Sequence, residues 1–209
     1  MNVTLSVIVP VAAYNVRWLD EAIESAVGVA DELILVCDGD PELYEAARSD
    51  KRVTHVLSIA SPGGPEAAIN AGVAVATQSH FSVLCSDDCY LPDVAKVKEA
   101  SFQGLITYGK VRFVGDMYGI PDWPVSDLQL ANIAFENCVP SPAIVPRCWW
   151  FEVGGYENVR YCDWHFYKKL YHRYGLSAFC FKPDLIFYQY RAWSGTISAK
   201  MGYQSNLGH

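Results

Sequence analysis

A chain of 209 residues carrying a net charge of −7 suits one domain, or a domain with a small appendage, and advertises no basic face for a nucleic acid. Half of the residues are apolar and 19% are charged, an ordinary globular mixture, so any phosphate chemistry needs a metal ion or helix N-termini rather than a surplus of lysine and arginine. The seven cysteines are scattered, odd in number and without a Cys-x-x-Cys pair, which argues against a zinc site or a disulfide framework and fits a reducing compartment.

The first residues, MNVTLSVIVP, lack a basic region followed by a long apolar stretch, and no window approaches 18 apolar residues. Neither a signal peptide nor a transmembrane segment is expected. Val3 to Val9 reads as a strand that Pro10 stops, and Trp18 to Val27 as a helix with Leu19, Ala22, Ile23 and Ala26 on one face. A second strand, Leu33 to Cys37, closes at the turn Asp38-Gly39-Asp40-Pro41. A short helix from Glu42 to Arg48 and a third strand from Val53 to Ile59 follow. Ser61-Pro62-Gly63-Gly64-Pro65 opens a helix running to about Ala76, and Phe81 to Cys85 is a fourth strand ending at Ser86-Asp87-Asp88. Strands alternating with helices imply crossover connections, a mainly parallel sheet and an α/β fold.

The second half is less regular. Leu105 to Val114 reads as one or two strands, 116–127 as a loop, Ala143 to Val145 as a short strand and Pro146 to Val153 as a helical turn. Gly154-Gly155 breaks the chain, Asp163 to Tyr174 is an amphipathic helix ended by Gly175, and Leu185 to Tyr190 is the last strand. We divide the chain into one domain over 1–198, with halves at 1–100 and 101–198, and a loose tail over 199–209.

Ligands of parallel sheets bind beyond the carboxyl ends of the strands. Tyr14, Asp38 and Asp87-Asp88 stand at three such ends. Two adjacent carboxylates repel each other and are comfortable beside a cation, and oxygen ligands suit Mg²⁺ or Mn²⁺ on a diphosphate; a solvated, helix-capping turn is the alternative. Asp38 could accept from a base N–H or a ribose hydroxyl, or serve its own turn. Asp163 could be a general base or a helix N-cap. Gly63-Gly64 could bring backbone close to a ligand or form a plain loop. Trp123, Trp149 and Trp150 could stack on sugar faces or belong to the core. His165 and His172 lack metal-ligand spacing and read as rim residues.

Six segments together resemble the inverting family 2 glycosyltransferases of the GT-A fold. They are Ser6-Val7-Ile8-Val9-Pro10 with Tyr14-Asn15, Leu35-Val36-Cys37-Asp38-Gly39-Asp40, the run from Gly63 to Gly72, Ser86-Asp87-Asp88-Cys89-Tyr90-Leu91-Pro92-Asp93, Gly154-Gly155-Tyr156-Glu157 with Tyr161-Cys162-Asp163-Trp164, and Tyr190-Arg191 with Ser194-Gly195-Thr196-Ile197-Ser198. They keep the family's order over almost the whole chain, and the fourth resembles its DXD motif. The resemblance implies a metal-dependent transfer of a sugar from a nucleotide-diphosphate sugar, UDP first among the nucleotides, to a glycan or glycoconjugate acceptor. It implies that Tyr14 and Asp38 hold the base, with Pro10, Gly64 and Asn70 also at the donor. Asp87 would lie near the ribose, Asp88 on Mn²⁺ or Mg²⁺, and Arg191 at the diphosphate; Asp163 would be the base.

There are departures from the pattern. An extra residue lies before Tyr14, Cys37 replaces an Asp, Ile69 replaces a helix Arg and Cys162 replaces a Glu. A non-catalytic nucleotide-sugar or glycan-binding domain is the alternative that these keep open. The motifs of sugar-phosphate nucleotidyltransferases and of dinucleotide oxidoreductases are missing after the first strand. The shortness of the chain for the family leaves acceptor surface to a partner or a second copy, and the expected location is cytoplasmic or peripheral at a membrane.

Overall fold

The computed structural model describes residues 3–12, 15–59, 63–102, 104–116, 119, 121–124 and 126–193, with 127 and 128 as backbone only. A five-stranded sheet is built from β1 (Leu5–Ala12), β2 (Glu32–Asp38), β3 (His55–Ile59), β4 (His80–Val83) and β7 (Val145–Pro146), in the order β3-β2-β1-β4-β7. The first four are mutually parallel and β7 runs antiparallel beside β4. The expected α/β architecture is therefore present.

The central strands read as continuous apolar runs because both faces are covered. Leu5, Val7, Ile8, Val9, Ile34, Val36 and Phe81 are all fully buried. Helices α1 (Leu19–Val27), α2 (Pro41–Ala47) and α3 (Gly64–Val75) are the crossovers. Asp40 starts α2 by accepting from Leu43 N–H at 2.9 Å. Helix α3 approaches the sheet closely at Gly72, where a Cβ would collide with Ile8 and press on Val36.

A second sheet, in the order β5-β8-β6, holds β5 (Cys89–Tyr90), β6 (Ile106–Gly115) and β8 (Phe179–Ala192). The remaining helices are α4 (Val94–Glu99), α5 (Arg147–Val153) and α6 (Cys162–Tyr174), and a short 3-10 helix spans Asp127–Asn132.

Two prolines stand inside strands. Pro10 does not stop β1, which continues to Ala12. The ladder with β4 ends at Ile8, so at Pro10 only β2 is paired alongside and a missing N–H is tolerated. Pro183 likewise sits inside β8, which begins six residues before the expected Leu185. The register jumps there from Tyr108↔Phe181 to Lys110↔Ile186, so Pro183 lies in a bulge that needs no ladder bond. The two-residue β5 was not anticipated, yet it fixes the site, because its antiparallel register sets Cys89 opposite Gln189.

Candidate active site

Parallel pairing brings the ends of β1, β2 and β4 to one edge of the sheet. Asp38 stands at the end of β2, where Oδ1 accepts from Gly63 N–H at 3.0 Å and Oδ2 from Gly64 N–H at 3.1 Å. The carboxylate thus lies against the N-terminus of α3, where the helix dipole favours negative charge. Gly64 takes φ +81° and turns its N–H to Asp38. A Cβ on Gly63 would lie 3.3 Å from Asp38 Oδ1 and 2.7 Å from Ile59 Cδ1, so glycine permits this contact. Each Asp38 oxygen keeps a lone pair for a ligand. Pro10 is half-buried in β1. Tyr14 lies outside the described residues, as do Ser194 to Ser198, while Asn15 Nδ2 donates to Ser86 Oγ at 3.1 Å.

The register of β5 against β8 explains what surrounds Asp87 and Asp88. Asp88 is only 1% exposed. Its Oδ2 accepts from Tyr188 Oη–H at 2.8 Å and its Oδ1 from the backbone N–H of Arg191 at 2.6 Å. The Arg191 guanidinium donates to the Asp87 carbonyl and to Glu21 Oε1, both at 2.9 Å, and stacks 4.0 Å from the centre of the Trp18 ring. Arg191 therefore joins α1, the Asp87-Asp88 turn and β8, instead of reaching into open space. Burial pushes the Asp88 carboxyl well above the carboxylate range, and the neighbouring charge of Asp87 adds to this. Burial also raises Asp87, while Asn15, Trp193 and Arg191 favour its ionised form.

Asp163 lies in the first turn of α6. The residue at the N-cap is Tyr161, in the left-handed region at φ 59°, ψ 50°, so Asp163 is not the cap itself. Its Oδ2 accepts from Asn137 Nδ2–H at 3.1 Å. Burial raises its carboxyl, and the Trp164 N–H, Asn137 and the charge of His165 pull it back. Asp88, Asp87 and Asp163 all act on one group: after burial, their charges hold the Cys85 thiol protonated. Cys85 lies two residues beyond β4, directly before the Ser86-Asp87-Asp88 turn.

This donor set can be tested for a metal. Among the described residues no group of three or more His, Cys, Asp or Glu could cage an ion. Two adjacent carboxyls, both raised by burial, instead fit Mg²⁺ or Mn²⁺, which take one or two protein carboxylates and complete their shell with water and phosphate oxygen.

Asn70 is committed elsewhere. Its Nδ2 donates to Tyr156 O at 2.8 Å, and its Oδ1 accepts from Trp150 Nε1 at 3.1 Å and Tyr156 N at 2.9 Å. It pins the Gly154-Gly155 turn, where both glycines have positive φ. Trp149 packs in the core on Tyr174, and Trp123 pairs with Val111 beside β6. Ile69 is 4% exposed and serves the core. Sequence reading missed Trp18, Glu21, Asn137 and Tyr188, which no local motif distinguishes.

Residues 6–120, more than half of the chain, match the glycosyl transferase family 2 pattern. The chain belongs to glycosyl transferase family 2. Members of this family are transferase enzymes, and its GT-A fold is seen in solved structures similar to this one. Staphylococcus aureus TarS 1-349 in complex with UDP-GlcNAc has a TM-score of 0.71 at 18% identity, over 92% of this chain and 60% of that one. Mannosyltransferase PcManGT from Pyrobaculum calidifontis, with GDP-Man and Mn²⁺, has a TM-score of 0.64 at 17% identity, over 97% and 60%. Mycobacterium tuberculosis glucosyl-3-phosphoglycerate synthase, with Mg²⁺ and UDP, has a TM-score of 0.63 at 16% identity, over 91% and 72%. The chain spans about 60% of the length of TarS 1-349. No curated protein matches it. No helix among the described residues is long and apolar enough to cross a membrane.

Proposed function

We propose that this family 2 chain transfers a sugar from a nucleoside diphosphate sugar, with UDP the first candidate, to a hydroxyl of a glycan or glycoconjugate, inverting the anomeric carbon. What supports this is the placement of the acidic residues: Asp38 ends β2 against the Gly63 and Gly64 N–H groups, Asp87 and Asp88 follow β4, and Asp163 stands in the first turn of α6. Asp38 and the segment through Tyr14 would hold the base, with Pro10 in the same wall. Asp38 can accept from the ring N–H of uracil, thymine or guanine; cytosine has none to offer.

Asp87, at the turn it shares with Asp88, would hold Mn²⁺ or Mg²⁺. Because Asp88 is 1% exposed and its carboxylate is turned to Tyr188 and Arg191, we give the direct contact to Asp87 and leave Asp88 to shape the turn behind it. Bound there, the ion would neutralise the charge developing on the departing diphosphate. Arg191 would hold the Asp87 carbonyl rather than touch the donor, and Gly64 and Asn70 would brace Asp38 and the turn before α6. Asp163 would take the proton of the acceptor hydroxyl. That oxygen bonds to the anomeric carbon as the bond to the phosphate oxygen breaks, its electron pair leaving with the nucleoside diphosphate.

We read 1–198 as one GT-A unit. The TarS and glucosyl-3-phosphoglycerate synthase complexes with UDP support the choice of nucleotide. Asp163→Asn is the direct test. Release of UDP from UDP-glucose or UDP-GlcNAc should fall about a hundredfold or more while UDP binding persists. Unchanged turnover would remove Asp163 from the reaction, and binding without turnover in the wild type would favour a binding domain.

A further inference from the structure

The first turn of α6 is tied down by a segment in which the sequence shows no motif. Ile133 O accepts from Trp164 Nε1–H at 2.7 Å, and four residues on Asn137 Nδ2 donates to Asp163 at 3.1 Å. Between these feet the chain is a closed turn: the N–H groups of Phe135 and Glu136 both donate to Asn132 O, at 2.7 and 3.0 Å, and Asn132 Nδ2 donates to Glu136 Oε1 at 3.2 Å. One turn along α6, Tyr167 Oη–H bonds the carbonyls of Pro140 and Ser141 at 3.1 and 3.0 Å. The turn bearing Asp163 cannot rotate without breaking these bonds.

Two further features show that the restraint is needed. α6 has no side-chain N-cap, and Tyr161, which precedes its first turn, is the one non-glycine described at positive φ. Backbone held in the left-handed region persists only where its surroundings over-determine it. Asn137 Oδ1 is also buried with no hydrogen-bond partner among the described residues. An amide that only filled space would be better replaced by an apolar side chain of the same shape. The bond to Asp163 is what its polarity supplies.

We propose that Asn137 is the positioning residue for Asp163, holding the carboxylate in the orientation that proton abstraction from the acceptor requires; this rests on the transferase reading above. A base oriented by a third group is the general pattern for such sites. The titratable groups acting with Asp163 are Cys85 beyond β4, Tyr156 before α6, and Cys162, His165 and Tyr167 on α6. Asn137 donates a side-chain hydrogen bond to it directly.

The test uses the full chain with Asn137→Ala and Asn137→Leu, the second matching the amide in size without adding a charge should the first loosen the turn. NMR of the ¹³C-labelled Asp163 carboxyl follows its titration. Loss of the donor should move that titration to higher pH in both variants. Hydrolysis of UDP-glucose and UDP-GlcNAc, with water as acceptor, should fall roughly ten- to a hundredfold in kcat with KM for the nucleotide sugar unchanged. The acid limb of the pH–rate profile should shift upward with the titration. An unmoved titration in both variants overturns the proposal, as does an equal rate loss at every pH. If the wild type turns over no nucleotide sugar, the transferase reading fails, and the titration alone still decides whether Asn137 holds the carboxylate.

Discussion

Asn70→Ala separates a scaffolding role from a donor-binding one. The wild-type amide makes three hydrogen bonds, to Tyr156 N, Tyr156 O and Trp150 Nε1. Tyr156 is 4% exposed, and Gly155 packs closely on the same groups: a Cβ there would stand 2.7 Å from Asn70 Oδ1 and 2.8 Å from the Trp150 ring. Alanine leaves those groups without partners in a place water reaches poorly. At about 1 kcal/mol for each bond the loss is about 3 kcal/mol. For a chain of this size each kcal/mol lowers Tm by about 2–4 °C, so a fall of roughly 6–12 °C is expected. Thermal unfolding by circular dichroism measures it, and calorimetric titration with UDP provides the contrast. The expected result is a lower Tm with an unchanged Kd for UDP at a temperature where both proteins are folded. A variant that melts with the wild type but loses UDP would refute the reasoning and return Asn70 to the donor site.

The remaining predictions concern pH. Glu32 is buried, which raises its carboxyl, but bonds from Ser6 at 2.5 Å, Thr77 N at 2.8 Å and Thr77 Oγ1 at 3.0 Å, with His55 beside it, leave it below the ordinary value. Its folded pKa is depressed, so its stabilisation is present above the unfolded value near 4.5 and lost as pH falls through the folded value. Glu32→Gln should therefore lower Tm at pH 7 and flatten its fall below pH 4.5; an equal acid slope in both proteins would exclude Glu32 as the source. Asp87 and Asp88 are shifted the other way. Their protonated forms persist above the unfolded value of 3.8, so binding Mn²⁺ with UDP should release protons and tighten as pH rises through the raised values. Calorimetry in two buffers of different ionisation enthalpy measures that release; its absence would argue against a carboxylate site.

Much of this molecule was legible because its central strands are buried on both faces. Val7 to Val9 and Ile34 to Val36 could be nothing but interior strand, and their order fixed the edge where Asp38 and Asp87 emerge. Pro10 misled because proline's effect depends on whether a neighbour needs the missing N–H, which is a tertiary fact; Pro183, within β8, is tolerated for the same reason. β5 is two residues long and carries no period, yet its register against β8 gives both Asp88 oxygens their partners. The acidic residues were recognisable by type and position, but the bonds they make were not. Asp88, Asn70 and Arg191 could each have faced a ligand, and each is turned to other parts of the fold. Asn137 belongs to an irregular segment with no motif, and its relevance appears only once that segment is folded against α6.

The central claim is a nucleotide-diphosphate site at the ends of β1, β2 and β4 that depends on a divalent ion. Calorimetric titration of UDP, with and without Mn²⁺, into the wild type and Asp87→Asn tests it most directly. Asp87 is the residue to change, because replacing Asp88 would also strip partners from Tyr188 and Arg191. The account predicts that UDP binds the wild type when Mn²⁺ is present, and that both omission of the ion and Asp87→Asn abolish the binding while the variant stays folded. If UDP, GDP and dTDP all fail to bind the wild type with Mn²⁺ or Mg²⁺ present, or if Asp87→Asn binds UDP as the wild type does, the account is contradicted.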